Sequence, residues 1–274
     1  MECSVRLNIN MPKTERELAF IRDLDINESW TRRFTDLIDK HVGFKDAENI
    51  LYINAGTGDH CIAIREKLDD KTAMFATCEN DELLKIARDK GAAVRSDIDF
   101  SQIEFEDDSF DAVVADASFT RAEAVEDLLA DAARVTRSGG KTALVLPAAG
   151  SFGEVFSLLW EIFFSEDMGG QGQAAEALIA GIPTLSRIEE MAENAGLIEV
   201  KTESATEVFE YGNGNEFINA PLVADYLMPV WLESLTEDEK ERVNTKLAQM
   251  IDEEDADLSF RFTVKVTLLA GRKA

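Results

Sequence analysis

The segment NILYINAGTGD, residues 49–59, has the most chemically suggestive spacing in the chain. Gly56 and Gly58 stand between an apolar run that reads as a strand and a helical pattern from Asp59 to about Leu68. A residue without Cβ adopts unusual dihedrals freely and lets a ligand approach the main chain. The helix beyond offers free N–H groups and the positive end of its dipole, a setting for a carboxylate or phosphate. Glycines at such a turn also serve helix–strand packing alone. Asp97 and Asp116 each follow a further apolar run, where a carboxylate either meets a ligand or caps a turn. His60, just past the glycines, is a base or a plain helix-face residue. Cys61 and Cys78 read as small buried thiols. No GxSxG, HExxH or GxxxxGK[ST] pattern occurs, and with only His41 and His60 available no His-rich metal site is expected.

The elements that must position these residues alternate between short apolar runs and helical patterns, which predicts βαβ units and a parallel sheet. The strands are expected at Asn49–Asn54, Thr72–Cys78, Ala93–Ser96, Phe110–Ala115, Lys141–Leu146, Leu197–Thr206 and Leu258–Ala270. Asn80 is a good N-cap for a helix bearing Leu83, Leu84, Ile86 and Ala87, and Gly91 is expected to stop it. Another helix spans about Glu123–Thr136. Ser186 with Glu189, and Thr236 with Glu239, read as capping boxes, the first heading a helix that Gly196 ends. The last strand has no sheet-covering crossover before it and should run antiparallel. The expected fold is α/β, a doubly wound, mostly parallel seven-stranded sheet with helical insertions.

We read one domain overall, in four parts: a helical N-terminal segment 1–48, a βα core 49–147, a helical insertion 148–185, and a helix and strands over 186–274 with an insertion at 207–257. Phe152, Phe156, Leu159, Trp160, Phe163 and Phe164 recur at spacings of one, three and four. They form a candidate lid over an apolar substrate, although such a stripe also suits a core or dimer interface. GGQGQ at 169–173 would give that lid a flexible joint.

Against 28 Lys and Arg stand 54 Asp and Glu, a net charge of −26 over 274 residues. A surface this acidic, with no basic cluster, repels nucleic-acid phosphates and anionic membranes. Three cysteines without CxxC spacing argue for a reducing compartment. MECSVRLNINMPKTE has no apolar stretch of signal-peptide length, and Phe156–Phe164 is too short to span a bilayer. The expectation is a cytoplasmic protein with a small-molecule substrate, no nucleic acid and no membrane span. The aromatic insertion leaves room for a homodimer or a protein partner.

Taken in series, IxxxNAGTGD, the helix from Asn80, RSDI, DDSFDAVVAD and ARVTRSGG followed by a strand resemble the class I S-adenosylmethionine-dependent methyltransferases, nearest their small-molecule branch, the type 11-like methyltransferases. The resemblance covers about residues 48–147 and implies a Rossmann-like sheet and S-adenosylmethionine as cofactor. It implies that Gly56 and Gly58 pass under the methionine part and that Asp97 hydrogen-bonds adenine with Ile98 packed beside it. Asp116 would face cofactor and substrate. The implied reaction is direct methyl transfer to a small apolar metabolite, for which Asp116 and His60 are the candidate catalytic residues.

Three residues depart from the family pattern. Tyr52 stands where an acid is usual, and Asn54 where a glycine is usual, though Asn tolerates left-handed conformations. Cys78 stands where an Asp or Glu grips the ribose. Glu79 is one residue further, and a one-residue shift turns a strand side chain to the other face, so Glu79 substitutes only if the strand ends early. Each hydrogen bond to a charged group contributes about 1.5–3 kcal/mol. Loss of two such carboxylates would therefore weaken binding on the order of 10²- to 10⁴-fold. The alternative reading is a catalytically inactive protein of this fold, acting as a binding or scaffold subunit, with the cofactor site weak or lost.

Overall fold

The computed structural model describes residues 13–165, 176–254 and 259–274. Cys3, the GGQGQ joint and Leu258 lie outside the described residues. Five apolar runs form parallel strands: β1 (Asn49–Ile53), β2 (Ala73–Ala76), β3 (Ile98–Phe100), β4 (Phe110–Asp116) and β5 (Thr136–Ala148). With β6 (Leu197–Tyr211) and β7 (Phe260–Lys273) they make one seven-stranded sheet in the order β3-β2-β1-β4-β5-β7-β6. β7 runs antiparallel between β5 and β6, as expected from its connection. Strand order reverses between β1 and β4, so the switch point lies at their carboxyl ends.

Both faces of this sheet are covered. Along β1, Tyr52 packs into one cluster while Leu51 and Ile53 pack into the other, which is why the strand reads as a continuous apolar run. The first face carries α1 (Glu15–Ile21), a π-helical stretch Arg22–Thr31 and α2 (Arg32–His41), which run on without a break. It also carries α3 (Asp59–Arg65), α4 (Asp81–Val94) and, after α5 (Val125–Val135), α6 (Gly153–Ser165). The second face is covered by α5 and α7 (Leu185–Asn194). The segment after β6 folds as α8 (Gly214–Asn219), a π-helical stretch Leu222–Leu227, α9 (Met228–Trp231) and α10 (Glu237–Glu254), and joins the first face. Thr236 and Glu239 form the expected capping box ahead of α10.

Several expected boundaries shift. α4 does not stop at Gly91 but continues to Val94 and ends at Arg95 in a left-handed conformation. Gly91 is needed there because a Cβ would lie 2.8 Å from Phe100 Cε2 and 3.0 Å from Ser96 Oγ. Ala93 and Val94 are consequently helical, and β3 begins at Ile98, after the stretch expected to form it. α7 is capped by Thr184, whose hydroxyl accepts from the Arg187 N–H, and not by Ser186, which lies in its first turn. β6 runs past Thr206 to Tyr211 because β7 pairs with it as far as Phe260.

The contact at Gly91 predicts that Gly91→Ala lowers stability by about 1–3 kcal/mol, the usual cost of overpacking. Gly43, where a Cβ would have nothing within 4 Å, is the control. Urea denaturation should show a lower midpoint for Gly91→Ala and an unchanged one for Gly43→Ala.

Candidate functional site

At the carboxyl end of β1 the chain turns through left-handed conformations at Asn54 (φ 59°), Gly56 (φ 57°) and Gly58 (φ 85°). Asn54 thus takes the conformation expected of a glycine, and its Nδ2 donates to the Asp116 carbonyl at 3.2 Å, tying the ends of β1 and β4 together. The two glycines do different things. A Cβ on Gly58 would lie 3.1 Å from both Ala87 Cβ and Phe100 Cζ, so this glycine permits helix–strand packing. The three atoms nearest a Cβ on Gly56 would all belong to Arg22, with Nη2 at 3.5 Å, so this glycine lets the arginine side chain approach the main chain in the crevice.

β2 ends at Ala76, early enough for the chain to turn before Glu79. Cys78 is buried, and Glu79 instead directs its carboxylate to the glycine turn, where Oε2 accepts the Gly56 N–H at 3.1 Å. Its Oε1 faces Arg22 Nη2 at 3.4 Å. Arg22, the first residue of the π-helical stretch, is buried, and its guanidinium carbon lies 4.2 Å over the Phe119 ring. Its Nε has no hydrogen-bond partner. The backbone carrying it is fixed by neighbours: Asn27 Nδ2 donates to Asp59 at 2.6 Å, Lys90 bridges Asp59 and Asp23, and the Tyr226 hydroxyl donates to the Leu18 carbonyl at 2.5 Å.

Asp116 closes the crevice on the β4 side. It is buried, which pushes its carboxyl above the ordinary value despite nearby Arg22, and its Oδ1 accepts the Ser118 N–H at 2.8 Å. Tyr52, in place of an acid, is fully buried, and burial raises its phenol well above the ordinary range. It therefore keeps its proton, and its hydroxyl shares a hydrogen bond with His60 Nδ1, 3.0 Å away. Burial depresses the His60 imidazole, whose Nε2 faces Asp39 Oδ1 at 3.6 Å. Burial pushes the Cys61 thiol far up and Cys78 to about 12, as inert thiols require.

Asn54, Gly56, Gly58, Glu79 and Asp116 thus gather at the switch point, whereas Asp97 and Ile98 do not. Because β3 begins at Ile98, Asp97 precedes the strand instead of following it. It is an exposed residue with φ 53°, level with the amino end of β2. The three residues of β3, a span of about 13 Å, separate it from Ser101 at the carboxyl end. Ser101 and Gln102 occupy the expected place of Asp97: the Ser101 hydroxyl is buried without a partner, and Gln102 Nε2 donates to the Cys78 carbonyl at 3.2 Å. The alternation of Ile98, Asp99 and Phe100 was the available signal for this register. Arg22 and Phe119 had no local signal at all, since only the folded chain brings them here.

Beyond Asp116 the chain lines a cavity of about 130 Å³ with Ser118, Phe119, Phe152, Phe156, Tyr226 and Trp231 among its walls. The candidate lid divides accordingly. Phe152 and Phe156 face this cavity, Phe163 is buried elsewhere in the core, and Trp160 is half-exposed and stacked on Phe164 at 5.9 Å. One helix cannot point the whole stripe at one pocket: α6 gives Phe156 to the cavity, buries Phe163 in the core and leaves Trp160 outside. Among the described residues, no group of three or more His, Cys, Asp and Glu is arranged to hold a metal ion, and no helix is long and apolar enough to cross a membrane.

Residues 51–144 match the family model described as a methyltransferase domain. The fold is that of solved class I methyltransferases. The YcgJ protein of Bacillus subtilis superposes with a TM-score of 0.56 at 16% identity, over 88% of this chain and 98% of that one. Phosphoethanolamine N-methyltransferase 2 of Haemonchus contortus gives 0.54 at 14% identity over 95% of this chain, which spans only 58% of that protein. Geranyl diphosphate C-methyltransferase of Streptomyces coelicolor gives 0.51 at 9% identity over 97% and 86%. No curated protein sequence matches the chain. Over residues 51–144, then, the chain matches a methyltransferase-domain model, and its fold is the one that solved methyltransferases share.

His60 makes the stability depend on pH. A histidine depressed below its ordinary 6.5 contributes stability that is fully present above that value and lost as pH falls through the folded pKa. Denaturation midpoints should drop as pH falls from about 7 to 5. The drop should be shallower in His60→Gln, and parallel profiles for the two proteins would refute the buried neutral imidazole.

Proposed function

We propose that the protein binds S-adenosylmethionine in the crevice bounded by Asn54, Gly56, Glu79 and Asp116, and methylates a small apolar molecule held in the adjoining cavity. The observation that carries this reading is the Glu79 carboxylate, turned onto the glycine loop where Cys78 cannot serve. The donor set suits a cationic nucleoside: two carboxyl groups, an open main chain at Gly56, and the unpartnered buried hydroxyl of Ser101, which native folds rarely leave without a ligand or water. When bound, S-adenosylmethionine supplies a methyl group made electrophilic by its sulfonium.

The chain's own residues would hold, orient and dry the reactants. Glu79 can accept hydrogen bonds from paired hydroxyls, and Asp116 adds a buried carboxyl at the end of β4. Phe119 stands between the crevice and the cavity and keeps water from the junction. Of the two candidate catalytic residues, His60 has its nitrogens turned to Tyr52 and Asp39, which leaves Asp116. The cavity, about 130 Å³ and walled mostly by apolar side chains, is close to the roughly 150 Å³ that accommodates benzene in an engineered protein core, so it suits a ring or short branched chain.

A second reading, an inactive binding subunit, is favoured by the stacked Trp160 and Phe164 on the outside of α6, where they would meet a second copy or a protein partner. It predicts no saturable heat with S-adenosylmethionine or S-adenosylhomocysteine, whatever side chain stands at position 22. The first reading predicts that Glu79→Gln weakens both ligands about 10- to 100-fold in calorimetric titration. Asp97→Ala, at the opposite edge of the sheet, should leave both affinities unchanged. Equal affinities in wild type and Glu79→Gln would remove Glu79 from the cofactor shell.

A further inference from the structure

We propose that Arg22 sets the affinity of this crevice by occupying it: its guanidinium is a cation of the chain's own, held in the space that S-adenosylmethionine must enter. The inference rests on the cofactor reading above and adds to it a competitor built into the N-terminal helical rod. Arg22 is only 3% exposed, yet it is not buried in the apolar core: its guanidinium lies over the open backbone of Gly56, against Glu79 and on the face of Phe119. The same carboxylate that would grip the cofactor therefore already holds a positive charge.

The grip is incomplete. A single Nη2–Oε1 contact at 3.4 Å joins Arg22 to Glu79, and Nε has no partner. A guanidinium offers five N–H donors in a rigid fork that usually pairs bidentately with a carboxylate, so much of its bonding capacity is unused here. The backbone on either side is held far better, through Asn27 to Asp59, Lys90 to Asp23 and Asp59, and Tyr226 to the Leu18 carbonyl. Arg22 is thus a loosely tied side chain on a firmly tied stretch of chain.

A ligand that binds only when a minor state is populated loses apparent affinity in proportion to that fraction. If Arg22 is out of the crevice about a tenth of the time or less, its removal tightens binding about tenfold or more. The test is calorimetric titration of wild type, Arg22→Ala and Arg22→Met with S-adenosylmethionine and, separately, S-adenosylhomocysteine. Arg22→Met keeps an apolar stem against Phe119 should Arg22→Ala fold poorly, and urea denaturation checks both. Tighter binding of both ligands by the folded variants, about tenfold or more, supports the proposal. Affinities equal to or weaker than wild type would overturn it and leave the cofactor reading standing. No binding by any of the three proteins would overturn both.

Discussion

The carboxylate of Glu79 is the point on which the carboxyl edge of the sheet depends. It accepts the N–H of Gly56, whose turn belongs to β1, and faces Arg22, which belongs to the N-terminal rod. It comes itself from the loop after β2. Three stretches far apart in sequence therefore meet through one side chain, at the place where reversal of strand order opens a crevice in a doubly wound sheet. What makes this possible is the early end of β2 at Ala76. With two further strand residues, Glu79 would turn to the other face, and the acid missing at Cys78 would have no replacement.

A second consequence of the same geometry is the division of labour along the crevice. The β1 and β2 side presents main chain and carboxylates, whereas the β4 side leads through Asp116 and Ser118 into aromatic walls. Phe119 belongs to both, carrying the Arg22 guanidinium on its face at 4.2 Å while contacting Trp30 and Tyr226 at ring separations of 5.3 and 5.1 Å. Polar groups and apolar walls are thus separated by one ring.

Much of this is legible in the chain. The succession of strands and helices, the antiparallel β7, the left-handed Asn54 and the turn of Glu79 after an early strand end all follow from local rules: apolar runs, crossover length, conformational preference and side-chain period. Those rules fail where tertiary contact overrides them. Gly91 reads as a helix stop, but it lies within α4 because Phe100 leaves no room for a Cβ, and taking it as a stop displaces β3 and puts Asp97 at the wrong end of its strand. The aromatic stripe of α6 has helical spacing without a single destination, since the sheet takes part of it and the cavity another part. Arg22 is unreadable for a different reason: a lone arginine in a polar helical stretch gains meaning only from the Gly56 turn and Glu79, separated from it by 34 and 57 positions of chain.

The two ends of the sheet also differ in how they meet other molecules. β3 closes one end with only 3 residues, too short to template another strand. β6 closes the other with 15 residues, a length that ordinarily invites a second chain to add itself edge to edge. It is broken near its start by a register shift between Ile198 and Lys201, where Glu199 takes φ 54° and twists the strand. Beyond that bulge Glu203, Glu207 and Glu210 recur along it, Glu207 paired with Arg33 and Glu210 with Arg261, so two such edges brought together would confront charged side chains. Bulge and charge together oppose endless sheet growth on a strand that pairing with β7 alone would leave open.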